Sequence, residues 1–224
     1  MNQILEGTLM YNEYILPEPS ELLYDENDVA YFYSYVKTTF WNKLGQDDES
    51  VLTSKALLNF KERRCSSDIK ECFMRDIAGY LQGFTFMDYS NVVIIPVPSS
   101  KGYKYSCIIN AVKRIFHIMD NSINESALYL GLDSPANFID GTGILKRTTN
   151  VIPMKYLWPK PSIEEVKQTI SFYDRDPSII HDDIVLIDDI ITTGTTMNAC
   201  KELLIENGVN PYKIHCFALA KTGG

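Results

Sequence analysis

Hydrophobic positions along the chain follow two periods. Near the C-terminal end, four apolar residues from Ile184 to Ile187 run into Asp188 and Asp189, then Ile190 and Ile191. A continuous apolar, β-branched run predicts a strand buried on both faces. Small hydroxylated residues surround Gly194. Beyond them Met197, Cys200, Leu203 and Leu204 recur at helical spacing, up to the stop signal Asn207-Gly208. Residues 91–98 form a second apolar run closed by proline, with a polar loop after it. A helix from Ser106 then turns Ile108, Ile109, Val112, Ile115, Phe116 and Met119 inward. Residues 213–220 predict the last strand and residues 127–130 another.

Earlier in the chain, Val29, Phe32, Tyr33, Val36, Phe40 and Leu44 predict an amphipathic helix from Asp28 to the stop at Gly45. The acidic residues 46–50 read as a solvated loop. Leu57, Leu58 and Phe60 end a short apolar segment before the basic cluster Lys61-Glu-Arg-Arg64. A second helix is expected from about Ser67 to Leu81, with Ile69, Phe73, Ile77 and Tyr80 inward and Gly83 beyond. Residues 1–26 contain Tyr11, Tyr14, Tyr24 and the break Pro17-Glu-Pro19, and predict irregular or short extended structure. Residues 131–161 are polar and rich in Gly and Pro; a loop this long is usually functional or mobile. Ser162-Ile-Glu-Glu165 has the form of a capping box. Strands alternating with helices, with loops at strand C-termini, predict a doubly wound, mainly parallel α/β sheet. Residues 51–224 would form this core. Residues 1–50 would form a helical and aromatic extension packed on it, offering a surface for a homodimer or a partner protein.

Composition narrows the function. Apolar residues make up 45% and charged residues 22% of 224, as in an ordinary globular domain. The net charge of −8 disfavours nucleic acid as the main ligand, because phosphate-backbone binding needs basic surface. No apolar run is long enough to span a membrane, and the first residues lack the order of a signal peptide. The cysteines at 65, 72, 107, 200 and 216 are odd in number and form no C-x-x-C, so neither a disulfide framework nor a zinc site is indicated. Cys107, Cys200 and Cys216 fall in apolar patterns and read as reduced core residues. A cytoplasmic enzyme or binding protein fits this profile.

The chemistry concentrates in residues 184–196. A helix start presents unpaired N–H groups and a partial positive charge, and glycine allows close backbone approach, so the loop suits a phosphate. Thr192, Thr193, Thr195 and Thr196 add hydroxyl donors around Gly194. Asp188 and Asp189 repel phosphate, but they can accept hydrogen bonds from sugar hydroxyls or hold magnesium through water. Acids for a ribose beside a cradle for its 5′-phosphate describe a ribose-5-phosphate site.

Val-Leu-Ile-Asp-Asp-Ile-Ile-Thr-Thr-Gly-Thr-Thr, residues 185–196, closely resembles the phosphoribosyl pyrophosphate (PRPP) motif of the type I phosphoribosyltransferases. No Walker A sequence accompanies it. The order of Phe60-Lys61, basic residues and a long helix is similar to the ComF-like subgroup, as is Val97-Pro98. Asn110 stands at the matching distance, and Lys146-Arg147 matches the basic start of the subgroup's mobile catalytic loop. Tyr105 and Cys107 stand where arginines are usual, Ile108 replaces a glycine, and the subgroup's zinc-binding cysteines are absent.

The resemblance implies the type I phosphoribosyltransferase version of the sheet. It further implies magnesium and transfer of ribose 5-phosphate from PRPP to a nitrogen nucleophile, with release of pyrophosphate. It assigns Asp188 and Asp189 to the ribose. Ile190, Thr192, Thr193, Gly194, Thr195 and Thr196, with Ser99 and Ser100, fall to PRPP and its phosphates. Lys101 and Lys104 are candidates for pyrophosphate, and Lys146 and Arg147 for the closing loop. The other reading of the same motif is a non-catalytic sensor of PRPP or a nucleotide that signals to a partner.

Overall fold

The structure, a computed structural model, describes residues 4–5, 8–11, 14–17, 21–45, 48–85, 91–99, 107–120, 138–149, 159–173 and 182–223. Its centre is a sheet of six strands in the order β4-β5-β11-β10-β6-β7. These are β4 (Leu23–Tyr24), β5 (Val29–Tyr35), β6 (Val92–Pro96), β7 (Phe138–Asp140), β10 (Asp183–Ile191) and β11 (Ile214–Thr222). Only the β4–β5 pair is antiparallel; β5–β11, β11–β10, β10–β6 and β6–β7 are parallel. The mainly parallel α/β architecture therefore matches the expectation from the pattern.

Burial on both faces follows from alternation along the strands. Ile184 to Ile187 are fully buried. Val185 and Ile187 join one core cluster, while Ile184 and Leu186 join the other. Helices α2 (Glu49–Lys61), α3 (Ser67–Thr85) and α4 (Cys107–Asp120) cover the first face through Leu57, Phe60, Phe73, Ile77, Ile108 and Ile115. Helices α5 (Ile163–Lys167) and α6 (Thr195–Glu206) cover the second through Val166, Met197, Cys200 and Leu204. A small antiparallel pair, β8 (Leu145–Arg147) with β9 (Ile170–Phe172), lies on the second face. The predicted capping box at the start of α5 is present, Ser162 and Glu165 satisfying each other's backbone N–H groups.

Two expectations are corrected. The helix predicted from Asp28 to Gly45 is absent. Residues 29–35 are strand β5, and only Thr38–Phe40 and the short α1 (Trp41–Leu44) are helical. Asp28, expected to start that helix, instead occupies the left-handed region (φ 57°) in the β4–β5 turn. The Asp25 carboxylate accepts from the N–H groups of Asn27 and Val29 at 2.8 and 2.9 Å and fixes that turn. The sequence Val-Ala-Tyr-Phe-Tyr-Ser-Tyr is β-branched and aromatic, and packing on a pleated surface outweighs a coincidental helical spacing. Tyr33 donates to Asp76 at 2.8 Å, and Phe32 meets Phe217 edge to face at 5.5 Å.

The second correction concerns residues 46–60, read as a loop and a short apolar segment. Glu49–Lys61 is a full helix whose N-cap, Asp48, accepts from Ser50 and Val51. Its buried face includes Thr53 and Ser54, which hides the periodicity. The Ser54 hydroxyl donates to Ser50 O at 2.7 Å and accepts from Val36 N–H at 2.8 Å, so its burial is compensated. Among the N-terminal residues, β1 (Ile4–Leu5), β2 (Thr8–Tyr11) and β3 (Tyr14–Pro17) form a separate antiparallel sheet, in line with the expected short extended structure. The strand expected at 127–130 lies outside the described residues.

Gly141 seals the β6–β7 edge. Its N–H donates to Ile94 O at 2.9 Å. A Cβ there would stand 2.7 Å from Ile94 O and 2.7 Å from the Ile95 side chain. Gly141→Ala is expected to lower stability by about 1–3 kcal/mol, the range for overpacking. Urea denaturation of the two proteins measures the difference, and equal midpoints would contradict the packing described.

Candidate functional site

Strand β10 reaches the C-terminal edge of the sheet with its last residues carrying charge. Asp188 and Asp189 follow Ile187 there, and a bend at residues 192–194 leads directly into α6. Gly194 is the N-cap of α6, with φ 69°, and it offers no side chain to the helix's first N–H groups. A side chain would be strained at this positive φ, although a Cβ would meet Asn27 only at an ordinary contact distance of 3.5 Å. Thr192 and Thr193 are exposed, and the Thr193 and Thr195 hydroxyls are 2.8 Å apart. N–H groups that receive no side-chain cap from Gly194, and two threonine hydroxyls, thus gather at one helix start.

Because adjacent strand residues face opposite ways, the two acids meet different surroundings. Asp189 is turned to the first face. Its Oδ1 is ion-paired with Lys61 Nζ and accepts from Ile190 N–H at 2.6 Å, while Oδ2 accepts from Cys107 Sγ at 3.2 Å. Asp188 Oδ1 accepts from the Asp189 N–H at 2.8 Å. Burial, and next the charge of Asp189, raise the Asp188 pKa from 3.8 to about 7, although Lys61 and Arg147 pull it down. Burial acts to lower the Lys61 pKa, but Asp189 and Asp188 outweigh it and hold the ammonium above the usual lysine range. Burial, reinforced by Asp189, pushes the Cys107 thiol well up and keeps it protonated as a donor.

The other expected site residues divide. Ser99 belongs to the stretch leaving β6, and this stretch is tied to β10 by Val97 N–H donating to Ile187 O at 2.8 Å. Ser100, Lys101 and Lys104 lie outside the described residues, as does Tyr105. Lys146 and Arg147, neighbours in β8, separate. Lys146 Nζ stands over the Tyr173 ring, 4.9 Å from its centre. Arg147 turns inward, bonds Thr169 Oγ1 through Nη1, and lowers the Asp188 pKa by its charge. Its Nε is buried without a hydrogen-bond partner among the described residues. The sequence reading missed Lys61 as a site residue. Its only signal was its place in the basic cluster after Phe60, because the contact joins residues 128 positions apart.

A family model described as a phosphoribosyl transferase domain matches residues 159–224. This part of the chain is similar to such domains. The match takes in α5, β9, β10, α6 and β11, and so includes both acids and the Thr/Gly loop. No curated protein matches the chain significantly. Among the described residues no helix is long and apolar enough to cross a membrane, and no three or more His, Cys, Asp or Glu are placed to hold a metal ion.

The raised Asp188 pKa has a consequence for stability. The folded chain holds this proton more tightly than the unfolded chain, for which 3.8 is the reference. The contribution is therefore fully present below pH 3.8 and lost as pH rises to about 7, after which it is constant. Asp188→Asn removes the buried charge but keeps an acceptor for the Asp189 N–H. The variant should be more stable than wild type at pH 8 by about 1–4 kcal/mol, with the gap closing toward pH 4. Thermal melts across this range test it; a gap that widens on acidification would contradict the assignment.

Proposed function

We propose that the protein is a type I phosphoribosyltransferase that moves ribose 5-phosphate from PRPP to a nitrogen nucleophile and releases pyrophosphate. The observation that carries this reading is the acid pair at the end of β10, running directly into a helix capped by Gly194, inside the matched segment. The ComF-like subgroup rests on the sequence resemblance. Asp188 and Asp189 accept hydrogen bonds from the ribose hydroxyls, and the first N–H groups of α6 with Thr193 and Thr195 hold the 5′-phosphate.

The C1′–pyrophosphate bond breaks through an oxocarbenium-like state, so positioning and charge provide most of the catalysis. Pyrophosphate leaves with the bonding electron pair, the nucleophile's lone pair forms the new bond to C1′, and its proton departs. Lys61 already neutralises Asp189 and stands ready as a cation beside the sugar. Lys101 and Lys104 remain the assigned pyrophosphate cations. Arg147, whose charge acts on Asp188 while Lys146 lies over Tyr173, is the better placed of the two to respond when ligand enters. Magnesium prefers oxygen donors and retained waters, so it would be carried mainly by the ligand, and Asp188 is the residue that would lend an oxygen. When bound it neutralises the diphosphate.

Asp189→Asn should weaken PRPP binding by about 1–3 kcal/mol, as for loss of a charge-assisted hydrogen bond, with calorimetry as the measurement. Gly194→Val should weaken it further. Incubation with PRPP, magnesium and a panel of bases and amines, following pyrophosphate, tests turnover. Lys101→Ala with Lys104→Ala should abolish release while leaving ribose 5-phosphate binding nearly intact. Unchanged affinity in a folded Asp189→Asn protein would refute the site. Binding without release for every acceptor would replace the enzyme by the sensor.

A further inference from the structure

A cavity of about 290 Å³ lies between α3, α4 and the turn that follows α2. Its wall carries three cations, Arg63, Lys70 and Arg114, against one carboxylate, Glu71, together with Ser67 and Asn110. The surplus of positive charge contrasts with a chain whose net charge is −8. The lining positions 67, 70, 71 and 74 form one face of α3, and 107, 110, 111 and 114 one face of α4. The N-terminal turns of two helices, 19 and 14 residues long, therefore stand together at this cavity with their partial positive charges. Cys107 connects it to the acid pair, since the same residue lines the cavity and donates to Asp189.

The turn that carries Arg63 is built tightly. Arg63 N–H bonds Phe60 O at 2.9 Å and Arg64 N–H bonds Asn59 O at 2.7 Å, closing the end of α2. Arg63 itself has φ 62°, where glycine is the usual helix-ending residue. This rigid turn sets the origin of the Arg63 side chain at the cavity rim. Guanidinium groups match the paired oxygens of phosphate, and a lysine adds a point charge.

We propose that this cavity is a second, oxyanion-binding site that takes a phosphate or diphosphate group. It uses no residue of the 188–196 loop, so it does not depend on the ribose-phosphate assignment. Its ligand is a phosphate-bearing compound separate from the molecule held at the acid pair, whose own diphosphate is assigned to Lys101 and Lys104. Inorganic pyrophosphate is the probe.

Calorimetric titration of the full chain should give a pyrophosphate site that persists in Lys101→Ala/Lys104→Ala and weakens tenfold or more in Lys70→Gln/Arg114→Gln. Both side chains are exposed, so the variant should fold, and its melting curve checks this. Lys70→Arg should retain affinity within about threefold, and Glu71→Gln should tighten binding. Thr193→Val/Thr195→Val, which disturbs only the helix start beside the acids, should leave pyrophosphate binding unchanged. Saturating PRPP should leave the site open, as a separate ligand requires; competition would return the anion to the ribose ligand's own diphosphate and overturn the second site. No binding to wild type, unchanged affinity in the double variant, or loss in the threonine variant instead would overturn the proposal.

Discussion

The constraint on which the rest of the structure depends is the placing of two adjacent carboxylates at the end of a strand buried on both faces. Two negative charges cannot share such a position without compensation. Strand alternation separates them: Asp189 goes to the face of α2 and α4, and Asp188 to the side of Arg147. Lys61, the Cys107 thiol and the Ile190 N–H then satisfy Asp189. Asp188 receives less and keeps a raised pKa. The pair thus holds one settled acid and one poised acid. Two helices and a small antiparallel strand pair are committed to supplying their neighbours.

Legibility from sequence tracked how local the determining physics is. The unit from residue 184 to 207 was readable because burial on both faces leaves an uninterrupted apolar run, and the helix start announces itself in glycine and threonine. Strand β5 was not. Its aromatic residues satisfy a helical spacing by chance, and pairing with β11 decides the matter across nearly two hundred positions of sequence. Helix α2 escaped because two of its buried positions are Thr53 and Ser54, and the backbone groups that satisfy the Ser54 hydroxyl are not revealed by the sequence.

The site divides in the same way. Asp188, Asp189 and the Thr/Gly loop are contiguous, and their chemistry could be read directly. Lys61 and Cys107 arrive from other helices, so the basic cluster at 61–64 was legible only through its order before a long helix, not as a partner of the acids. Lys146 and Arg147 illustrate the reverse error. They look like one basic unit, yet in β8 they face opposite ways, one onto an aromatic ring and one inward onto Thr169, from where its charge lowers the Asp188 pKa.

Strand β5 has a practical consequence for anyone shortening the chain. It pairs with β11 from Cys216 to Thr222 and shields that strand's outer edge. Cutting at residue 50, where the sequence suggests an extension ends, would leave the inner strand beside the acid pair with a long row of unpaired N–H and C=O groups. Such an edge invites pairing with other copies of the chain. A fragment covering only the matched segment and its neighbours would tend to precipitate rather than act as a minimal binding unit.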